Sequence, residues 1–190
     1  MAIALISGTT AGIGKATAQT LAKEGYNLIL NGRRTDKLEA QAAELQETFR
    51  IKTLLMAVDV RDNEAVDTFI KNIWAEWKSI DVLVNNAGLA AGLDNLENGD
   101  IDHWNRMIDN NIKGLLYVSK AMIPLLKNTQ GHIVNIGSIA GKEVYPNGNV
   151  YCGTKHMVDA LNKAMRRELA ESGIKVSAVH PGAVETEFSI

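Results

Sequence analysis

Ser138, Tyr151 and Lys155 are the residues of this chain whose types and spacing could do chemistry. Tyr151 and Lys155 lie four residues apart, one turn of helix, so both side chains leave the same face. An ammonium beside a phenol favours the phenolate. A free phenol titrates near ~10; a depressed one becomes a proton donor and acceptor close to neutral pH. Ser138 precedes Tyr151 by thirteen residues and adds a hydroxyl able to polarise a reacting oxygen. Taken alone, a Tyr–Lys pair at this spacing is also an ordinary exposed helical pair. The elements that carry it have to decide.

Those elements alternate. Short apolar runs at Ile3–Ser7, Asn27–Asn31, Lys52–Ala57, Asp81–Asn85, Gly131–Ile136 and Ile174–Val179 read as six buried strands. Helical patterns fall between them. Gly14–Glu24 ends at Gly25, and Asp36–Phe49 carries Leu38, Ala42 and Leu45 on one face. Asp62 caps a helix that buries Val66, Phe69, Ile70, Ile73 and Trp77. A long helix is expected over 101–127, with Pro124 near its end, and another from Val150 to Ser172, closed by Gly173. Strand–helix alternation predicts an α/β fold. Its form is a Rossmann-like, doubly wound parallel sheet with helices on both faces, in a single domain over 1–190.

Composition excludes several alternatives. The 190 residues are 46% hydrophobic and 22% charged with a formal net charge of −2, which fits a globular chain and gives no basic excess for nucleic acid. A single cysteine, Cys152, allows no disulfide within the chain. The apolar start is short, lacks a basic region and runs into a glycine turn, unlike a signal peptide. No stretch reaches membrane-spanning length, and the expected location is cytoplasmic.

The first strand runs into Ser7-Gly8-Thr9-Thr10-Ala11-Gly12-Ile13-Gly14 and then a helix. Glycines there allow a tight turn and close approach of backbone to a pyrophosphate, and the helix N-terminus offers unpaired N–H groups. Gly8, Thr9, Thr10, Gly12, Ile13 and Gly14 are therefore candidate dinucleotide ligands, although Thr17 replaces the usual third small residue. The second strand ends in Asn31-Gly32-Arg33-Arg34, where an NAD site would carry an acidic residue. Two guanidiniums instead suit a ribose 2′-phosphate and predict NADP(H). Asp59 and Val60 follow the third strand, where an adenine would be met. Asn86, Ala87 and Gly88 follow the fourth. Both places are carboxyl ends of strands, where open α/β sheets bind ligands.

In its Gly8-x-x-x-Gly12-Ile13-Gly14, Asn85-Asn86-Ala87-Gly88, Asn111-x-x-Gly114, Ser138, Tyr151-x-x-x-Lys155 and Pro181-Gly182 motifs, in this order, the chain resembles the compact branch of the short-chain dehydrogenase/reductase family. Gly32-Arg33-Arg34 and Asn147–Lys155 look most like its NADP-dependent 3-hydroxy acid dehydrogenases, which act on serine-like or allo-threonine-like alcohols or reduce malonic semialdehyde-type carbonyls. The resemblance implies Tyr151 as general acid/base and Lys155 as the residue that lowers its pKa and holds the nicotinamide ribose. It implies Ser138 as the group that orients the substrate carbonyl and Asn111 as the holder of a relay water. It further implies Thr186 at the nicotinamide carboxamide, Pro181, Gly182 and Val184 as cofactor-binding residues, a small alcohol or carbonyl as substrate, and a homodimer or homotetramer; the chemistry requires no metal.

Hydride transfer leaves or removes charge at one oxygen, which a hydroxyl donor and a tunable phenol suit. A reductase of another carbonyl, or a non-catalytic nucleotide-binding protein, would share the fold; the latter would not need Ser138, Tyr151 and Lys155 together. A sugar-nucleotide epimerase or dehydratase would carry a longer substrate domain. Relatives continue past this point with a substrate-covering segment, so the expectation is that such a segment is missing after Ile190. Lys142 is the cation considered for a substrate carboxylate. Cys152, a one-residue step from Tyr151, points elsewhere on the helix and reads as packing. Trp74, Trp77 and Trp104 read as packing too, and Met157, Leu161, Met165 and Leu169 as a core or interface stripe. His103, His132, His156 and His180 lack ligand-like spacing.

Overall fold

A computed structural model describes residues 1–187. Its six strands are β1 (Ile3–Ile6), β2 (Asn27–Asn31), β3 (Thr53–Met56), β4 (Val82–Asn85), β5 (His132–Ile136) and β6 (Lys175–Val179). All neighbouring pairs are parallel, in the order β3-β2-β1-β4-β5-β6. The order reverses between β1 and β4, which places a crevice at their carboxyl ends.

The strands are apolar on both sides because both sides are covered. Leu5, Ile29, Leu83 and Ile133 point into one core with Val66, Val118, Met122 and Val158. Ala4, Ile6, Leu28, Leu30 and Val84 point into the other, against Ala18, Ala22, Leu38 and Leu45. The second core is built by α1 (Gly12–Lys23) and α2 (Thr35–Phe49). The first is built by α3 (Asn63–Asn72), α5 (Leu115–Thr129) and α6 (Asn149–Glu168). Between α3 and α5 lies α4 (Ile101–Ile108). No helix among the described residues is long and apolar enough to cross a membrane.

Three expected helices differ from those found. The helix begun at Asp62, whose carboxylate accepts from Ala65 N at 3.0 Å, stops at Asn72, and Ile73 turns extended. Trp77 still reaches the core, on a separate 3₁₀ turn, whereas Trp74 is 66% exposed. The apolar spacing ran on because the turn buries the same side of the chain. The helix expected over 101–127 is instead α4, a π-helical turn at Asp109–Gly114, and α5. Gly114 sits where a Cβ would come within 2.8 Å of Val60 Cγ2, so this turn presses onto the loop after β3. The helix expected to end at Ser172 closes at Glu168, followed by a 3₁₀ turn and Gly173 at φ 76°.

Candidate active site

The crevice at the β1–β4 switch opens into a cleft of about 620 Å³. One end of it is the loop after β1. Gly8 and Gly12 have φ of 70° and 53°, a conformation that glycine adopts without strain. Gly14 serves differently: a Cβ there would lie 2.1 Å from Gly8 O and 2.4 Å from Asn86 Nδ2. It lets α1 pack onto the loop and does not line the cleft. Thr9 is also scaffold and not a cleft residue. It is fully buried, and its N–H and hydroxyl both reach Asn31 O, at 2.8 and 3.3 Å.

Gly8, Thr10, Gly12, Ile13, Arg33, Arg34, Asp59, Val60, Asn86, Ala87 and Gly88 all line the cleft, as do Pro181, Gly182, Val184 and Thr186. Two polar residues outside the expected set hold this wall together. Asn31 accepts from Gly8 N and donates to Met56 O and Val58 O, tying the ends of β1, β2 and β3. Ser7 Oγ accepts from the backbone N–H groups of Asn86 and Ala87, at 3.0 and 2.9 Å. Polar residues that end buried strands are the signal that could have found both.

At the adenosine end, Asp59 is gripped by Arg61 through two carboxylate oxygens and lies 3.7 Å from Arg33. The Arg61 hydrogen bond holds the Asp59 carboxyl below its ordinary value. Arg34 donates to Thr10 Oγ1 at 2.9 Å and to Glu187 at 3.0 Å. The glycine loop with open φ values, the wide cleft and this cation cluster fit a phosphorylated dinucleotide.

The other end holds Ser138, Tyr151 and Lys155 together on the cleft wall. Ser138 follows β5 and caps a 3₁₀ turn, its hydroxyl accepting from Ala140 N at 3.1 Å. Tyr151 and Lys155 share one face of α6. The Lys155 ammonium lies 5.9 Å from the Tyr151 ring centre, and the Ser138 and Tyr151 side chains hydrogen-bond. The electrostatics reverse the expected direction for the phenol. Burial pushes Tyr151 above its ordinary value, and the bond with Ser138 pulls back less strongly. Lys155 is 5% exposed and donates to Ile136 O at 3.0 Å; burial lowers its pKa to about 8. At 5.9 Å from the ring centre, the ammonium does not offset the burial of the phenol.

Asn111 is 2% exposed and lies in the π turn, behind the cleft wall. Its side chain accepts from Leu89 N and donates to Leu89 O and Thr154 Oγ1. Gly88 is the point of contact: a Cβ there would lie 3.3 Å from Asn111 Oδ1 and 3.7 Å from Lys155 Nζ. Lys142, weighed as a carboxylate partner, is bound to Asp159 at 2.8 Å, outside the cleft. Cys152 is buried. His132 meets Ser177 Oγ, His156 meets Cys152 O and His180 meets Ser138 O, while His103 Nδ1 is buried without a partner.

The family model for short chain dehydrogenases matches residues 2–190. The chain belongs to this family. It is 40% identical over 189 residues to the NADP-dependent 3-hydroxy acid dehydrogenase YdfG of Salmonella typhi, covering 98% of this chain and 75% of that protein. It is also 40% identical over 190 residues to sulfoacetaldehyde reductase 2 of Chromohalobacter salexigens, with 99% and 75% covered. Among solved structures, the closed form of a serine dehydrogenase complexed with NADP+ superposes with a TM-score of 0.90 at 37% identity, covering 98% of this chain and 75% of that one. An alcohol dehydrogenase from the archaeon Thermococcus sibiricus, complexed with 5-hydroxy-NADP, gives 0.94 at 33%, with 99% and 79% covered.

Proposed function

We propose that this chain is an NADP-dependent oxidoreductase that interconverts a small anionic alcohol and its carbonyl compound. The observation that carries the reading is the convergence of Ser138, Tyr151 and Lys155 on one end of a cleft whose other end presents Arg33 and Arg34.

The bound nicotinamide supplies or accepts the hydride. In the reducing direction, Tyr151 gives its proton to the forming alkoxide. Burial favours the neutral phenol, so the acid is loaded before the substrate arrives. Ser138 holds the same oxygen by a hydrogen bond and orients the Tyr151 hydroxyl. Lys155 stabilises the charge left on the phenol after transfer. Asn111 is a positioning residue: it fixes Leu89 and Thr154, and through Gly88 the wall beside Lys155. The expected relay water would be met by this wall.

The substrate class follows from the two kinds of relative at equal identity. A 3-hydroxy acid carries its carboxylate one carbon away from the carbinol. Sulfoacetaldehyde carries its sulfonate one carbon away from the aldehyde. The shared feature is an anion at that distance from the reacting carbon, and it supports serine, allo-threonine, 3-hydroxypropionate or their carbonyl forms as substrates. A panel of these with sulfoacetaldehyde and uncharged aldehydes, assayed with the full-length chain and NADPH or NADP, tests the reading. Turnover confined to the anionic members is expected; equal or better turnover of uncharged aldehydes would overturn the anion requirement. The same assay run with NADH checks the cofactor.

A further inference from the structure

Glu187 lies where a cofactor phosphate would compete with it. Its carboxylate reaches Arg34 Nη1 at 3.0 Å through one oxygen and Lys37 Nζ at 3.3 Å through the other. Arg34 is one of the two guanidiniums ascribed above to the ribose 2′-phosphate, and Lys37 stands one residue further into the first turn of α2 than Asp36. The N-terminus of that helix favours an anion in the same place. Thr10, in the glycine loop, completes the seat by accepting from Arg34. Glu187 comes from a segment that lines the cleft, and its neighbour Thr186 packs on Gly12, whose added Cβ would lie 3.1 Å from Thr186 Cβ. The carboxylate therefore ties this segment to the start of α2. Its hydrogen bonds with Arg34 and then Lys37 hold it below its ordinary pKa, so it stays an anion at neutral pH.

We propose that Glu187 is an internal stand-in for the 2′-phosphate, a latch on Arg34 and Lys37 that NADP(H) displaces and NAD(H) does not, with Lys37 as a third ligand of that phosphate. The proposal rests on the NADP reading above. Its physical basis is a difference in charge. A phosphomonoester carries about −1.5 to −2 at neutral pH with three acceptor oxygens, whereas Glu187 offers one charge and two oxygens. The phosphate outcompetes the carboxylate, and part of its binding free energy is used to open the latch. A cofactor with a 2′-hydroxyl leaves the ion pairs in place. The latch thus lowers the apparent affinity for NADPH selectively, and Lys37 raises it selectively.

The test compares adenosine 2′,5′-bisphosphate with adenosine 5′-monophosphate, and NADPH with NADH, in calorimetric titrations of the full-length chain. Glu187→Gln should tighten the bisphosphate and NADPH by about threefold to tenfold, the scale of exposed ion pairs. The monophosphate and NADH should change by less than about twofold. Lys37→Met should weaken the bisphosphate and NADPH by a similar factor and spare the other two. In the double variant the gain from Glu187→Gln should shrink, because one of the latch's two anchors has gone. All these effects should fade as salt rises toward 1 M. If the wild-type chain binds the bisphosphate no more tightly than the monophosphate, the NADP reading itself fails, and the latch with it. If that preference is intact but Glu187→Gln shifts phosphorylated and unphosphorylated ligands alike, or neither, the latch is overturned while the NADP reading stands.

Discussion

The two ends of the cleft handle charge in opposite ways. At the adenosine end, Arg33, Arg34, Lys37, Asp59 and Glu187 form ion pairs whose cationic side chains are 42–62% exposed. At the reacting end, Lys155 is 5% exposed and its nearest acceptor is a backbone carbonyl. Exposed charges are cheap to rearrange and are screened by salt, so they suit the selection of a ligand that comes and goes. A buried ammonium keeps its place and its field, because no water competes for it. The comparison teaches that a Tyr–Lys pair cannot be judged from spacing alone: the spacing predicts a lowered phenol pKa, and here burial raises it.

Removing the proton donor should have the largest effect. Tyr151→Phe should lower kcat by about 10³-fold, within the range for general acid–base catalysis, while leaving NADPH affinity within a few fold. Pre-steady-state hydride transfer measured alongside a binding titration checks both. Undiminished turnover would show that the buried end does not handle the proton.

Lys155→Met sharpens the contrast through stability. The folded pKa of about 8 lies below the ordinary 10.5, so between these values the unfolded chain binds more protons. Wild-type stability should therefore rise with pH across that window relative to the variant. Below pH 8 the variant should be the more stable by up to about 3 kcal/mol, less about 1 kcal/mol for the lost bond to Ile136 O. Denaturant titrations at pH 7.5 and pH 10.5 measure the gap. A gap that does not close at the higher pH would mean that burial does not lower the Lys155 pKa in the folded state. Turnover should fall in parallel.

The fold was readable from the alternation of apolar strands and helical patterns, since the inner strands are covered on both faces and most of their residues are apolar. The breaks were not. Nothing in 109–114 announces a π turn, and its closing Gly114 packs against Val60, far away in sequence. Ser138, Tyr151 and Lys155 could be placed at the cleft from motif order, yet the direction of the Tyr151 shift depends on how much water reaches it, a property of packing. Asn31 and Ser7 were not assigned a role because their partners are backbone atoms far away in sequence. Glu187 escaped notice for a similar reason: its contacts span 150 residues or more.

Arg33→Ala with Arg34→Ala should weaken NADPH by about tenfold to a hundredfold, as expected for charge-assisted bonds to a phosphate, and NADH by less than about threefold. The difference should narrow with salt, whereas the kcat of any bound cofactor should be insensitive to it. Equal losses for both cofactors would move the two arginines away from the phosphate.

The smallest effect divides scaffold from ligand within one loop. Thr9 and Thr10 are adjacent, yet Thr9 is fully buried against Asn31 and Thr10 faces the cleft and Arg34. Thr9→Val is nearly isosteric and removes one hydroxyl donor. Asn31 O keeps the bond from the Thr9 backbone N–H at 2.8 Å, so no buried acceptor is stranded. The expected cost is about 1 kcal/mol of stability, read as a shift of the denaturation midpoint, with NADPH affinity unchanged. Thr10→Val should do the reverse, sparing stability and weakening NADPH by freeing Arg34 from its guide. If Thr9→Val instead lowered cofactor affinity at unchanged stability, Thr9 would be a cofactor ligand, and the line between the loop's buried and open faces would have to be redrawn.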